Sequence, residues 1–166
     1  ALSEFGKKRG KSKTRDDCER ALQDASEILA SCEDQGISVL SCRCDDFPVF
    51  LKDIPNKPAI LFVKGSVAAL HRKSIAIVGT RNATSFARKC SFRIAETCAQ
   101  NNLAVVSGLA KGCDTEAHKG CIKGGQPTVA VLAHGFNHLF PPENESLAHE
   151  IVDSGGSLVT EYFPSV

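Results

Sequence analysis

The sequence has 166 residues, is 42% hydrophobic and 23% charged, and carries a net charge of +1. That length and balance fit one compact soluble domain and exclude a uniformly basic nucleic-acid coat. No apolar run approaches the roughly 18 residues that a membrane span needs, and no basic–apolar–small leader opens the chain. The expectation is therefore a cytoplasmic protein with no membrane span.

The charge is unevenly placed. Residues 1–15 hold six basic groups (Lys7, Lys8, Arg9, Lys11, Lys13, Arg15) against Glu4, while the remainder holds 14 basic and 18 acidic groups. This separates a basic flexible tail over 1–15 from a folded body over 16–166. Any nucleic-acid site on the body must be a local patch. The eight cysteines contain no C-x-x-C pair, and Cys42-x-Cys44 is too close for the usual zinc spacing. They read as free thiols, several packing as small apolar groups in helices.

Asp16 to Asp34 carries apolar residues at helical period, and Gly36 stops it. Ile37 to Leu40 reads as a strand. Asp45 to Pro58 has three prolines and reads as an irregular or short helical connection. Ile60 to Val63 is a second strand, Ser66 to Leu70 a brief turn or helix, and Ser74 to Val78 a third strand. Thr84 to Asn101 is a long helix whose positions 87, 90, 94, 95, 98 and 99 form one stripe, with Ser85 or Thr84 as cap. Strand Leu103–Val106, helix Asp114–Lys123, strand Thr128–Leu132, helix Glu143–Val152 and strand Leu158–Thr160 complete the order. From Ser74 the pattern is βαβαβαβ, and its strands are continuous apolar runs. That predicts an α/β, Rossmann-like three-layer domain: a mostly parallel sheet with helices on both faces.

In such sheets ligands bind beyond the carboxyl ends of the strands. Three polar loops fall there: Gly79-Thr80-Arg81, Ser107 to Gly112, and the loop holding His134 and Gly135. Strand, glycine-bearing loop and helix start make the local geometry that binds phosphate. Arg81 carries a fork of donors suited to phosphate, or else forms an ordinary surface ion pair. Ser107 and Gly108 offer a hydroxyl and an amide, Lys111 a cation, and Gly112 a sharp entry into the helix. Asp114 fits the N-cap of that helix, with Ala117 at N3. His118, one turn further, reads as a structural histidine bonded to Asp114 or to a neighbouring loop. Phe136 and Phe140 flank the third loop as core residues or as a stacking surface for a base. A second fingerprint glycine is missing after Gly79, so a dinucleotide cofactor is not inferred. No nucleophile–base–orienter set is visible; the site reads as one that holds a polyanion without breaking it, with no cofactor and no metal.

These residues resemble the DprA/Smf family of bacterial DNA-processing proteins. The likeness runs from about Ile37 to Tyr162. It takes in Asp46-Phe47-Pro48 with Leu51, Pro58 to Gly65, Ile77 to Arg81 with Ser85-Phe86, Ser107 to His118, Gly124-Gly125 with Thr128 to Leu132, Gly135, Phe140-Pro141 and Glu161-Tyr162. The order and spacing of these pieces carry the resemblance. It implies a Rossmann-like domain that binds single-stranded DNA, hands it to a RecA-type recombinase during natural transformation and is not an enzyme. It also raises a homodimer for the full-length form. By position, Arg81 is the leading DNA-phosphate contact, and Gly79, Thr80, Ser85, Ser107, Gly108, Lys111 and Gly112 line the cleft. Asp114, His118 and Gly135 support it.

The sequence departs from the family in three ways. Pro142 and Glu143 follow Phe140-Pro141 where many relatives place Lys or Arg, which removes one expected cationic contact. Ala87 replaces the glycine of an aromatic–Gly pair. The chain stops at Val166, before further strands and an Arg-Asn-Arg segment, and it lacks the amino-terminal helical domain of many members. It reads as a fragment or a naturally short relative. Two other functions use the same features: a small-nucleotide sensor or enzyme in the same cleft, and a truncated module kept for protein interaction.

Overall fold

The computed structural model describes residues 14–165, so the expected basic tail lies outside the described residues except for its last members. The chain divides at Gln35/Gly36 into two compact units. The first contributes one helix, α1 (Arg15–Asp34), opened by a reciprocal capping box between Thr14 and Asp17. Arg15, counted with the tail in the sequence, begins this helix and pairs with Glu19 one turn on, at 2.9 Å.

The second unit is built on a mixed sheet of six strands in the order β1-β2-β6-β5-β4-β3. These are β1 (Ile37–Ser41), β2 (Ile60–Gly65), β3 (Ser74–Ala76), β4 (Ala104–Ser107), β5 (Thr128–Leu132) and β6 (Ser157–Thr160). β3 to β6 are mutually parallel. β2 runs antiparallel to both β6 and β1. The sheet is mostly parallel, as expected; β4, β5 and β6 are largely buried, whereas β3, at the sheet edge, is exposed at all three residues.

Helices α3 (Ser85–Gln100), α4 (Cys113–Lys123) and α5 (Glu145–Asp153) connect the parallel strands. Val105 of β4 packs with Ala95 and Ala99 of α3 and with Ala117 and Cys121 of α4. Side chains alternate along a strand, so Val106 points the other way. On that second face lie Val129 and Val159, covered by Phe47, by Leu51 of the short helix α2 (Val49–Lys52), and by Val67, Ala69 and Leu70 of a 3-10 helix. Phe47, from the Asp-Phe-Pro run, is completely buried there. The two faces are thus both flanked, one by long helices and one by short ones.

α3 and α4 approach closely because α4 has glycine at the contact. A Cβ on Gly120 would lie 2.2 Å from the Phe92 carbonyl oxygen. A Cβ on Gly124 would lie 2.5 Å from Ala99 Cβ. Ser91 of α3 donates to the Cys113 carbonyl at 2.7 Å, so the first turn of α4 is tied to α3 as well. This sets the amino ends of both helices beside the carboxyl ends of β3 and β4. All eight cysteines are free thiols. Among the described residues, no helix is long and apolar enough to cross a membrane.

Candidate functional site

The loop after β3 and the loop after β4 are held together by one side chain. The Asp114 carboxylate accepts from the Gly79 amide through Oδ1 at 3.3 Å and from the Gly108 amide through Oδ2 at 3.1 Å. It is buried, with 5% of its surface exposed. Asp114 is therefore not the helix cap that local spacing suggests. Gly112 occupies the N-cap position and α4 begins at Cys113. The carboxylate instead sits where the loop amides were expected to hold a ligand phosphate. The amide of Gly108 is engaged internally, as is that of Gly79.

Ser107 also turns inward. It is buried, and its hydroxyl donates to the Ile77 carbonyl at 2.6 Å, which secures β4 to the end of β3. The expected phosphate donor is thus a structural one. Gly112 does what the sequence asked: its φ is +85°, and a Cβ would lie 2.4 Å from the Thr80 carbonyl oxygen and 2.6 Å from that of Arg81. Only glycine lets the β3 loop lie this close to the start of α4. The Cys113 amide then donates to the Thr80 carbonyl at 3.3 Å.

His118 is fully buried and serves the neighbouring loop, not Asp114. Its Nε2 accepts from the Leu109 amide at 3.3 Å. Its Nδ1 lies 2.8 Å from Thr128 Oγ1, which itself donates to the Val105 carbonyl at 2.7 Å. A neutral ring with the proton on Nδ1 satisfies every partner. Burial disfavours the charged form and pushes the pKa from 6.5 down to about 3. Leu109, buried with φ of +58°, is fixed by this contact and by Asn144, whose amide donates to the Leu109 carbonyl at 2.8 Å and to Thr115 Oγ1 at 2.9 Å. Asn144 was not singled out in the sequence, since an Asn after Pro-Pro-Glu looks like an ordinary turn residue.

The third loop joins the other two through Asn144 and through an ion pair. Lys111 Nζ lies 2.6 Å from Glu143 Oε1, both side chains being more than half exposed. The hydrogen bond from Lys111 holds the Glu143 carboxyl below its usual range. Lys111 reaches the rim as expected, but with its charge already partnered. Gly135 is buried, and its carbonyl lies 2.7 Å from His134 Nδ1. The Phe140 amide donates to the same ring's Nε2 at 3.3 Å. His134 thus closes its own loop. Phe136 is buried and Phe140 is 62% exposed, so only the second presents a ring to solvent.

Arg81, Thr80 and Ser85 remain at the surface. Among the described residues the Arg81 side chain has no hydrogen bond and no ion pair. Thr80 Oγ1 accepts from the Asn82 amide at 3.2 Å, shaping the turn that presents Arg81. Thr84, not Ser85, caps α3, accepting from the Ala87 amide at 3.2 Å. Ser85 is free to face outward as the first helical residue.

Fold and site together define an α/β domain whose parallel strands end in a polar rim where, among the described residues, Arg81 is unpaired. More particularly, the chain belongs to the DNA recombination-mediator protein A family, whose model matches residues 38–166. It is 37% identical over 122 residues to the DNA processing protein DprA of Bacillus subtilis (strain 168), covering 73% of this chain and 41% of that one. It is 34% identical over 116 residues to protein Smf of Escherichia coli (strain K12), covering 70% and 31%. The structure of DNA processing protein A from Streptococcus pneumoniae superposes with a TM-score of 0.72 at 32% identity, covering 83% of this chain and 48% of that one. A Helicobacter pylori DNA processing protein A, whose structure concerns its single-stranded DNA binding mode, shares the fold with a TM-score of 0.66 at 24% identity, covering 76% and 55%. The chain therefore spans less than half the length of the curated relatives described here.

Proposed function

We propose that this chain binds single-stranded DNA along the carboxyl rim of its parallel sheet, with Arg81 as the leading phosphate contact. As part of a cytoplasmic recombination mediator it delivers that strand to a RecA-type recombinase, and the full-length form acts as a homodimer. The carrying observation is the exposed, unpartnered Arg81 guanidinium at the end of β3, in a family of DNA recombination mediators. A related protein's structure concerns single-stranded DNA binding, which supports the choice of ligand. The role is one of holding, and no catalytic step is assigned. A mononucleotide site is disfavoured, because Asp114 already occupies the Gly79 and Gly108 amides that would cradle its phosphates.

The test is fluorescence anisotropy with an oligo-dT probe across a salt series, for the native chain and Arg81→Ala. The expected loss is roughly ten-fold or more, the usual scale for removing a charge-assisted contact. The salt slope should fall by about 0.7, with the melting temperature unchanged. Equal binding by the variant refutes the assigned contact. Displacement of the probe by a mononucleotide would transfer the site to the small-ligand reading. RecA loading is read separately, as stimulation of filament assembly on the bound strand.

A further inference from the structure

We propose that the bound strand continues past the rim along the outer side of α3, where Lys89 and Arg93, with Arg88, form a second set of phosphate contacts. This rests on the single-stranded DNA reading above and extends it to a surface that lies outside the strand-end loops.

An open groove of about 450 Å³ runs there, lined by Ser85, Arg88, Lys89, Phe92, Arg93 and Glu116. Three of the six lining residues are cations, and Glu116 on α4 is the one carboxylate. Among the described residues, none of the three cations is in an ion pair. Within α3 no acidic residue precedes Glu96, so the positive charge is not neutralised along its own helix. Residues three, four, seven and eight apart share a helix face. That places Ser85, the Arg88/Lys89 pair and the Phe92/Arg93 pair along one line.

The groove is also connected to the rim. Arg88 Nε donates to the Ala83 carbonyl at 3.2 Å, which fixes its guanidinium against the turn that follows Arg81. Ser85 opens the groove at the end nearest that turn. At a rise of ~1.5 Å per residue, Ser85 to Arg93 covers ~12 Å. A stacked single strand carries a charge every ~3.4 Å, so the groove has room for about three phosphates. Phe92, half-buried on the groove wall, offers apolar surface for a base. Unpaired cations beside an aromatic ring suit a nucleic-acid strand. An acidic protein segment would use the cations alone.

The experiment compares the full chain with the Lys89→Gln/Arg93→Gln variant; Arg88 is left in place because it supports the loop. Affinity is measured for oligo-dT of increasing length, from about six to about 20 nucleotides, each across a salt series. The variant should match the native chain on the shortest probe and fail to gain affinity on longer ones. Its salt slope on long probes should be lower by about 1.4, at about 0.7 for each of the lost contacts. An unchanged length dependence and slope overturns the groove while leaving the rim intact. An equal loss on every probe, the shortest included, overturns it too, since the residues would then act only as a diffuse field. A native chain that binds no probe sinks the DNA reading and the groove with it, so the two failures are distinguishable. Melting temperatures of the two proteins should coincide.

Discussion

Replacing His118 by Gln offers a quantitative test of how the second loop is held. In the folded chain the ring is fully buried, accepts from the Leu109 amide and contacts Thr128 Oγ1. Protonating Nε2 would set one N–H against another. The folded pKa of about 3 lies below the ordinary 6.5 that applies to the unfolded chain. Between those values the unfolded state binds a proton that the folded state does not, so stability falls as pH falls. The slope approaches ~1.4 kcal/mol per pH unit. At about pH 5 the loss is ~2 kcal/mol relative to neutral pH, and it grows to ~4 kcal/mol near pH 3. Gln cannot titrate. It should lower stability at about pH 7.5 by ~1–3 kcal/mol, because the Leu109 amide and Thr128 are no longer both satisfied. Its further decline to about pH 5 should then be smaller than that of the native chain by ~2 kcal/mol. Urea denaturation at the two pH values, followed by circular dichroism, reads the difference. Parallel pH decrements for the two proteins would falsify the buried neutral histidine.

Two further substitutions separate holding the loops from contacting a ligand. Gly112→Ala places a Cβ against the Thr80 and Arg81 carbonyls at a positive φ; it should cost ~1–3 kcal/mol in thermal or urea stability, and residual folded protein should bind oligo-dT poorly because the Arg81 turn is displaced. Native-like affinity in that variant would show that the turn position is irrelevant. Glu143→Gln frees Lys111 from its ion pair; stability should hardly change for so exposed a pair, while DNA affinity at low salt rises and the salt slope steepens. A measured slope identical to that of the native chain would remove Lys111 from the contact set.

The central parallel strands were readable because burial on both faces favours near-continuous apolar runs, as Val129 to Leu132 shows, where only Val131 is exposed. The ends of α3 and α4 were readable to within one residue, since capping and glycine chemistry are local. What the sequence concealed was the destination of polar groups across long separations. Nothing near Asp114 reveals that its carboxylate will serve amides 35 and six residues away. Local rules instead made it a cap and left Ser107 and Gly108 free for a ligand. Lys111 looked available because its partner, Glu143, lies 32 residues on. The groove on α3 did leave a trace: Arg88, Lys89 and Arg93 stand on a helix with a single carboxylate, although only the apolar stripe of that helix was singled out in the sequence.

The winding of the sheet has a consequence for what kind of molecule the protein can hold. Small ligands of doubly wound sheets lie in the crevice that opens where neighbouring loops depart toward opposite faces. Here the chain steps from β3 to β4 to β5 to β6 always toward the same neighbour. α3 and α4 lie together on one face, so the loops after β3 and β4 do not part. They stand side by side as a shelf, with length along the sheet. A compact ligand touches one step of a shelf and leaves its other sides in water. A flexible polymer lies down on it and adds a contact at each strand it passes. The topology, before any side chain is considered, selects for extent over shape.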